Sequence, residues 1–97
     1  MKPDLKRLGK KQKEVIKRMA NEDLFIKEVH DLRDGSIVRS LSDEDNDYED
    51  LSHNFIDSLG KRKIFNCLDW LPCLEINIMK FTLKDSAIKK AKELKII

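Results

Sequence analysis

Residues 51–60, LSHNFIDSLG, set Leu51, Phe55, Ile56 and Leu59 at helical spacing and then meet Gly60 and the basic step Lys61-Arg62-Lys63. The spacing predicts a short amphipathic helix with one buried stripe and with His53, Asn54, Asp57 and Ser58 outward. Gly60 is the expected C-terminal stop. Asp50 or Ser52 is placed to cap the helix start, where free backbone N–H groups need an acceptor. Everything before this stretch reads as support for it. Everything after it reads as a two-stranded ribbon closed by a last helix.

The supporting part has its own periods. Lys10–Ala20 carries Gln12, Val15, Ile16 and Met19 on one helical side and Lys10, Lys13, Glu14, Lys17 and Arg18 on the other. Asn21 is the expected terminator. Leu24–His30 switches to alternation, the mark of a strand. Asp34-Gly35 predicts a tight hairpin turn, because glycine takes positive φ without strain. Ser36–Leu41 is the returning strand. Ser42–Asp50, SDEDNDYED, is acidic and without period, and reads as a mobile loop. Beyond the central helix, Ile64–Trp70 and Leu74–Phe81 are expected strands around Leu71-Pro72-Cys73. Leu83–Leu94 is the closing helix, with Leu83, Ala87, Ile88, Ala91 and Leu94 inward.

Ninety-seven residues, 40% apolar and 39% charged, fit one domain with a single core. No apolar run reaches the roughly 18–20 residues of a membrane-spanning helix. The basic start lacks the apolar segment of a signal peptide, so a cytoplasmic chain with no membrane association is expected. In that setting Cys67 and Cys73 are expected as thiols, although a cross-strand disulfide is conceivable if the turn centres on Trp70. Charge is unevenly spread: residues 1–20 hold eight Lys/Arg against two acids, 21–60 three against twelve, and 61–97 nine against four. Basic ends around an acidic middle permit one positive face.

The order helix, hairpin, helix, hairpin, helix resembles the winged helix-turn-helix superfamily, in particular its small bacterial and phage modules. Three pieces carry the resemblance over about half the chain: Lys11–Ile16; Phe55–Phe65, a helix ending in a basic step before a strand; and Lys80–Ala87, a strand running into a final helix. The resemblance implies an α+β domain spanning 1–97, with three helices and two hairpins (α-β-β-α-β-β-α) and an acidic loop at 42–50. It implies a non-enzymatic, regulator-like protein whose partner is double-stranded DNA. Leu51–Gly60 would be the recognition helix and Ile64–Phe81 the wing, with Lys61, Arg62 and Lys63 on phosphates. Ser52, His53 and Asn54 would belong to the nucleic-acid contact, with His53 and Asn54 able to donate and accept at base edges. Lys10 and Lys17 would add a second phosphate track.

Other features oppose this. Glu49 and Asp50 lead the helix, Asp57 lies on its outer face, and six acids of Asp43–Asp50 adjoin it, all repelling a polyanion. The tip Trp70-Leu71-Pro72-Cys73-Leu74 is apolar where a DNA-contacting wing offers Arg or Lys. The competing expectation is therefore a protein-interaction module. In that reading Trp70, Leu71, Pro72 and Leu74, with the acidic loop, contact a protein partner or a second copy. Asp43, Asp45 and Asp47 imitate a calcium loop, but Tyr48 stands where glycine is required and Asn54 where the bidentate Glu belongs. His30, His53, Cys67 and Cys73 lack the spacing of a zinc site. No nucleophile, base and orienting acid recur at an informative spacing. No enzyme, metal or cofactor is expected.

Overall fold

The computed structural model describes residues 3–72 and 75–97, with side chains described for all of these except 69–72. Three helices lie with one five-stranded antiparallel sheet, so the chain is α+β. The elements are α1 (Lys10–Asn21), β1 (Phe25–Asp31), β2 (Ser36–Ser42), β3 (Asp47–Leu51), α2 (His53–Gly60), β4 (Phe65–Pro72), β5 (Ile76–Leu83) and α3 (Asp85–Glu93). The strand order is β3-β2-β1-β5-β4.

This corrects the expected two-hairpin order α-β-β-α-β-β-α. A third strand, β3, occupies the C-terminal half of the stretch read as a loop. It has no apolar alternation because it is an edge strand held by backbone pairing to β2, with Ser40 opposite Asp50 and Arg39 opposite Leu51. The connection before it is tied by Asp43, whose carboxylate accepts the N–H groups of Asp45 at 2.8 Å and Asn46 at 2.7 Å. The two hairpins are also not separate. β1 pairs with β5 along six residues, Ile26 opposite Phe81 through Asp31 opposite Ile76, which merges them into one sheet.

Register assigns the sheet's faces. Ile26 lies opposite both Leu41 and Phe81, Phe81 opposite Cys67, and Arg39 opposite both Glu28 and Leu51, so all of these share one face with Phe65. The helices cover part of that face. Val15, Met19, Leu24 and Ile56 bury Ile26, Leu41 and Leu51 there, with Phe55, Phe65, Phe81 and Leu83 at the margin. A second cluster joins the N-terminal Leu5 and Leu8 to Ile16, Leu59, Ile64, Ala87 and Ala91. Each fully buried aliphatic side chain contributes about 1.5–3 kcal/mol. The opposite face carries Lys27, Val29, Val38, Ile78, Lys80 and Leu68, and Val38 and Leu68 are about half exposed.

Chain reversals fall a little away from their expected residues. Asn21 is the last residue of α1, and the left-handed residue after it is Asp23 (φ 56°). The first hairpin turns over Leu32–Gly35, with Gly35 at φ 76° and its N–H on the Asp31 carbonyl at 2.8 Å. Gly60 is helical, and the left-handed conformation belongs to Lys63 (φ 60°).

Candidate nucleic-acid interface

The helix α2 begins two residues later than the sequence suggests. Leu51 is buried at the end of β3, and Ser52 caps α2 by accepting the Phe55 N–H at 3.2 Å. Of the two candidate caps, Ser52 is the one used, and it is exposed at the helix start. Gln12 of α1 fixes the neighbouring helix. Its Oε1 accepts the Gly9 N–H at 2.9 Å, and its Nε2 donates to Ser58 Oγ at 3.0 Å.

Inside the hairpin, Glu28 and Arg39 form a cross-strand ion pair at 3.3 Å on the helix-covered face, with side chains only 13% and 15% exposed. His53, the first residue of α2, meets Arg39 Nη1 through Nδ1. Arginine can only donate, so this ring nitrogen is the acceptor. The proposed base reader thus touches a residue of the sheet through Nδ1 yet is exposed, as is Asn54 beside it. Among the described residues Arg39 Nε is buried without a hydrogen-bond partner.

The basic step divides. Arg62 turns inward: Nη1 donates to the carbonyls of Lys6 at 2.6 Å and Asp4 at 3.3 Å, and Nη2 to that of Arg7 at 3.4 Å. Its own carbonyl accepts the Asp4 N–H at 2.9 Å. Arg62, expected on phosphate, thus makes three hydrogen bonds through Nη1 and Nη2 to the N-terminal segment. Lys61 and Lys63 are exposed, and neither takes part in an ion pair among the described residues.

Both lysines line an open groove of about 430 Å³ between the end of α2 and the sheet, together with Arg39, Ile56, Asp57, Gly60, Phe65 and Phe81. The two phenyl rings lie 6.2 Å apart at 56°. Three cationic residues and two aromatic rings therefore line the groove with one carboxylate, Asp57, although Arg39 is also paired with Glu28. This volume lies in the range of small-ligand clefts. A larger groove of about 870 Å³ lies between the N-terminal segment and α3, but Lys6, Lys89 and Lys90 there face Asp4 and Glu93, and no aromatic ring lines it. Lys10 and Lys17 are exposed on the outer side of α1 and do not line the α2 groove.

The acids of 43–50 are mostly engaged away from that groove. Glu49 pairs with Lys11, Asp47 with Lys27, Glu44 with Lys80, and the Tyr48 hydroxyl donates to Asp43. The Tyr48 hydroxyl and the N–H groups of Asp45 and Asn46 hold the Asp43 carboxyl below its ordinary range. The Lys27 ammonium, then the Ser42 hydroxyl, does the same for Asp47. Glu22, Asp23, Asp43, Glu44 and Asp45 instead line a separate groove around Lys80.

Trp70, Leu71, Pro72 and Leu74, named for a protein contact, lie outside the residues whose side chains are described, as does Cys73. Cys67 is exposed. Among the described residues no group of His, Cys, Asp and Glu is arranged to hold a metal ion, and no helix is long and apolar enough to cross a membrane.

Sequence reasoning missed Arg39 and the ring pair. A signal for Arg39 was present: Glu28 and Arg39 occupy inward-parity positions, two residues from Ile26 and Leu41, and carry opposite charge. Comparison of the chain with protein-family models, curated proteins and solved structures finds no match.

Proposed function

We propose that the chain is a small, non-enzymatic DNA-binding module, regulator-like and of the winged-helix kind, with α2 as its recognition helix and β4–β5 as its wing. The observation that carries this reading is the convergence of Lys61, Lys63 and Arg39 around Phe65 and Phe81. Lys61 and Lys63 neutralise backbone phosphates, releasing condensed counterions. The ring floor accepts the apolar edge of a sugar or base, and the exposed Asn54 at the start of α2 offers a donor and an acceptor to base edges. Local pairing of Asp43, Glu44, Asp47 and Glu49 supports the same reading, because it lowers the repulsion that the acidic run would otherwise exert. It weakens the competing idea of an acidic docking loop for the same reason.

The test is an amide NMR titration with a random-sequence duplex at low salt and then near-physiological salt. Shifts at 54–65 that fade as salt rises are expected. Silence at low salt, where non-specific binding is strongest, overturns the proposal.

A further inference from the structure

The groove at the end of α2 holds two features that a double helix does not use. The first is Asp57, which stands among the cationic residues of the groove, one helical turn before Lys61. Among the described residues its carboxylate takes part in no ion pair. Against a phosphate backbone it only repels. An ionised carboxylate is a two-oxygen acceptor, so its complement is a pair of N–H donors.

The second feature is Gly60, which lines the groove between Asp57 and Lys61. It is helical and has no positive φ, so the backbone does not call for glycine there. Packing does not call for it either, because a side chain would start in open space, with no atom within 4 Å of its Cβ. A helical glycine is destabilising relative to alanine. What it gives here is an open wall. The sheet side of the groove carries the half-buried rings of Phe65 and Phe81.

In a duplex the faces of each base are covered by its neighbours and its Watson–Crick edge by its partner. Neither the rings nor the carboxylate finds its complement there. An unpaired base offers both, a π-face for the rings and a free edge for Asp57.

We propose, resting on the DNA-binding reading, that the groove takes one unpaired guanine nucleotide beside a duplex. Its base lies against Phe65 and Phe81, its N1–H and amino group donate to Asp57, and its phosphate sits between Lys61 and Lys63. Guanine presents two parallel donors on that edge. Thymine presents one donor between two carbonyl oxygens, which a carboxylate repels. The volume of about 430 Å³ has room for one base with its sugar and phosphate. The carbonyls that would repel phosphate at the end of α2 are occupied. Those of Asp57, Leu59 and Gly60 accept the N–H groups of Lys61, Arg62 and Lys63 at 3.1, 3.0 and 3.3 Å.

The test is fluorescence anisotropy of the full chain with three labelled hairpin duplexes. One is blunt, one has a short single-stranded thymine tail, and one has a guanine within that tail. The guanine tail is expected to bind about tenfold more tightly than the blunt hairpin, with the thymine tail between them. Gly60→Leu fills the groove from a position with open space around it. It should bring all three to equal affinity without lowering the melting temperature. Asp57→Asn should erase the difference between guanine and thymine. In the wild type, equal affinity for the guanine tail and for either other hairpin overturns the proposal and leaves the DNA reading standing. No binding to any of the three overturns both. A guanine preference at full strength in G60L places the base elsewhere and also overturns the proposal. Should G60L not fold, D57N decides, and an unchanged preference for guanine over thymine overturns it.

Discussion

Arg62 Nη1 donates to the Lys6 carbonyl oxygen at 2.6 Å, from a side chain only 18% exposed. One guanidinium thus holds the segment that carries Leu5 and Leu8 into the core. The same residue looks, in sequence, like the middle of a phosphate-binding step.

Arg62→Ala is expected to cost about 2–3 kcal/mol, because several charge-assisted bonds to backbone carbonyls disappear together. Arg62→Lys keeps the charge but not the fork, and should fall between the two. Thermal melts of the variants check this. Unchanged melting in R62A would show that the N-terminal segment is held by Leu5 and Leu8 alone.

Lys61 and Lys63 should act differently. Replacing both by Gln is expected to lower affinity for any duplex and to reduce the slope of log K against log salt by roughly two, about one per phosphate contact. Fluorescence anisotropy at several salt concentrations reads this directly. An unchanged slope would remove both lysines from the interface.

Lys63 also separates stability from binding. A side chain in the left-handed region costs about 1–2 kcal/mol, which glycine largely avoids while giving back part in chain entropy. Lys63→Gly is therefore expected to raise stability by about 0.5–1 kcal/mol while weakening DNA binding. Urea unfolding beside the anisotropy measurement distinguishes the two effects. A less stable K63G would mean that the lysine stem packs usefully on Phe65.

Glu28→Ala leaves the largely buried Arg39 guanidinium without its carboxylate. A loss of about 3 kcal/mol is expected, as for other buried pairs broken on one side. Replacing both residues, Glu28→Leu with Arg39→Met, should restore most of that loss, since an apolar pair of similar volume tolerates the site. It should not restore DNA binding if Arg39 forms part of the groove. Paired urea and anisotropy curves separate these outcomes.

Acid should unfold the chain through specific carboxylates. Asp31 is held below its ordinary range by Arg33, Asp34 by the Ser36 N–H, Asp43 chiefly by Tyr48, and Asp47 chiefly by Lys27. A lowered folded value means that the unfolded chain binds protons first as pH falls. Their stabilisation is complete above the ordinary carboxylate value of about 3.9 and is lost as pH drops through the lowered values. Melting temperature should hold its level from pH 7 to 5 and fall steeply below about pH 4. Asp43→Asn and Asp47→Asn should each soften that fall, as melts across the range would show.

Much of this fold was legible because period and burial agree. The stripes of α1 and α2 and the alternation of β1 follow from residue spacing alone. β3 was not legible, because DYEDL forms its strand through backbone pairing with β2, which leaves no apolar alternation to read. The roles of Lys61, Arg62 and Lys63 also could not be told apart by spacing. What separates them is the N-terminal segment lying within reach of one guanidinium and the left-handed backbone at Lys63. Arg39 was hidden because a charged residue in a strand looks solvated until its cross-strand partner is placed opposite.

The strand order β3-β2-β1-β5-β4 also sets a schedule for synthesis. β1 leaves the ribosome early, yet one of its two neighbours is β5, encoded some fifty residues later. When Gly60 has emerged, β2 and β3 can be in place while the other side of β1, Ile26–Asp31, is still a bare row of amides and carbonyls. The nascent chain therefore carries an open sheet edge in its middle until the last third arrives. That interval is when contact with another nascent chain is most dangerous, and when a chaperone holding the early strands apart would matter most.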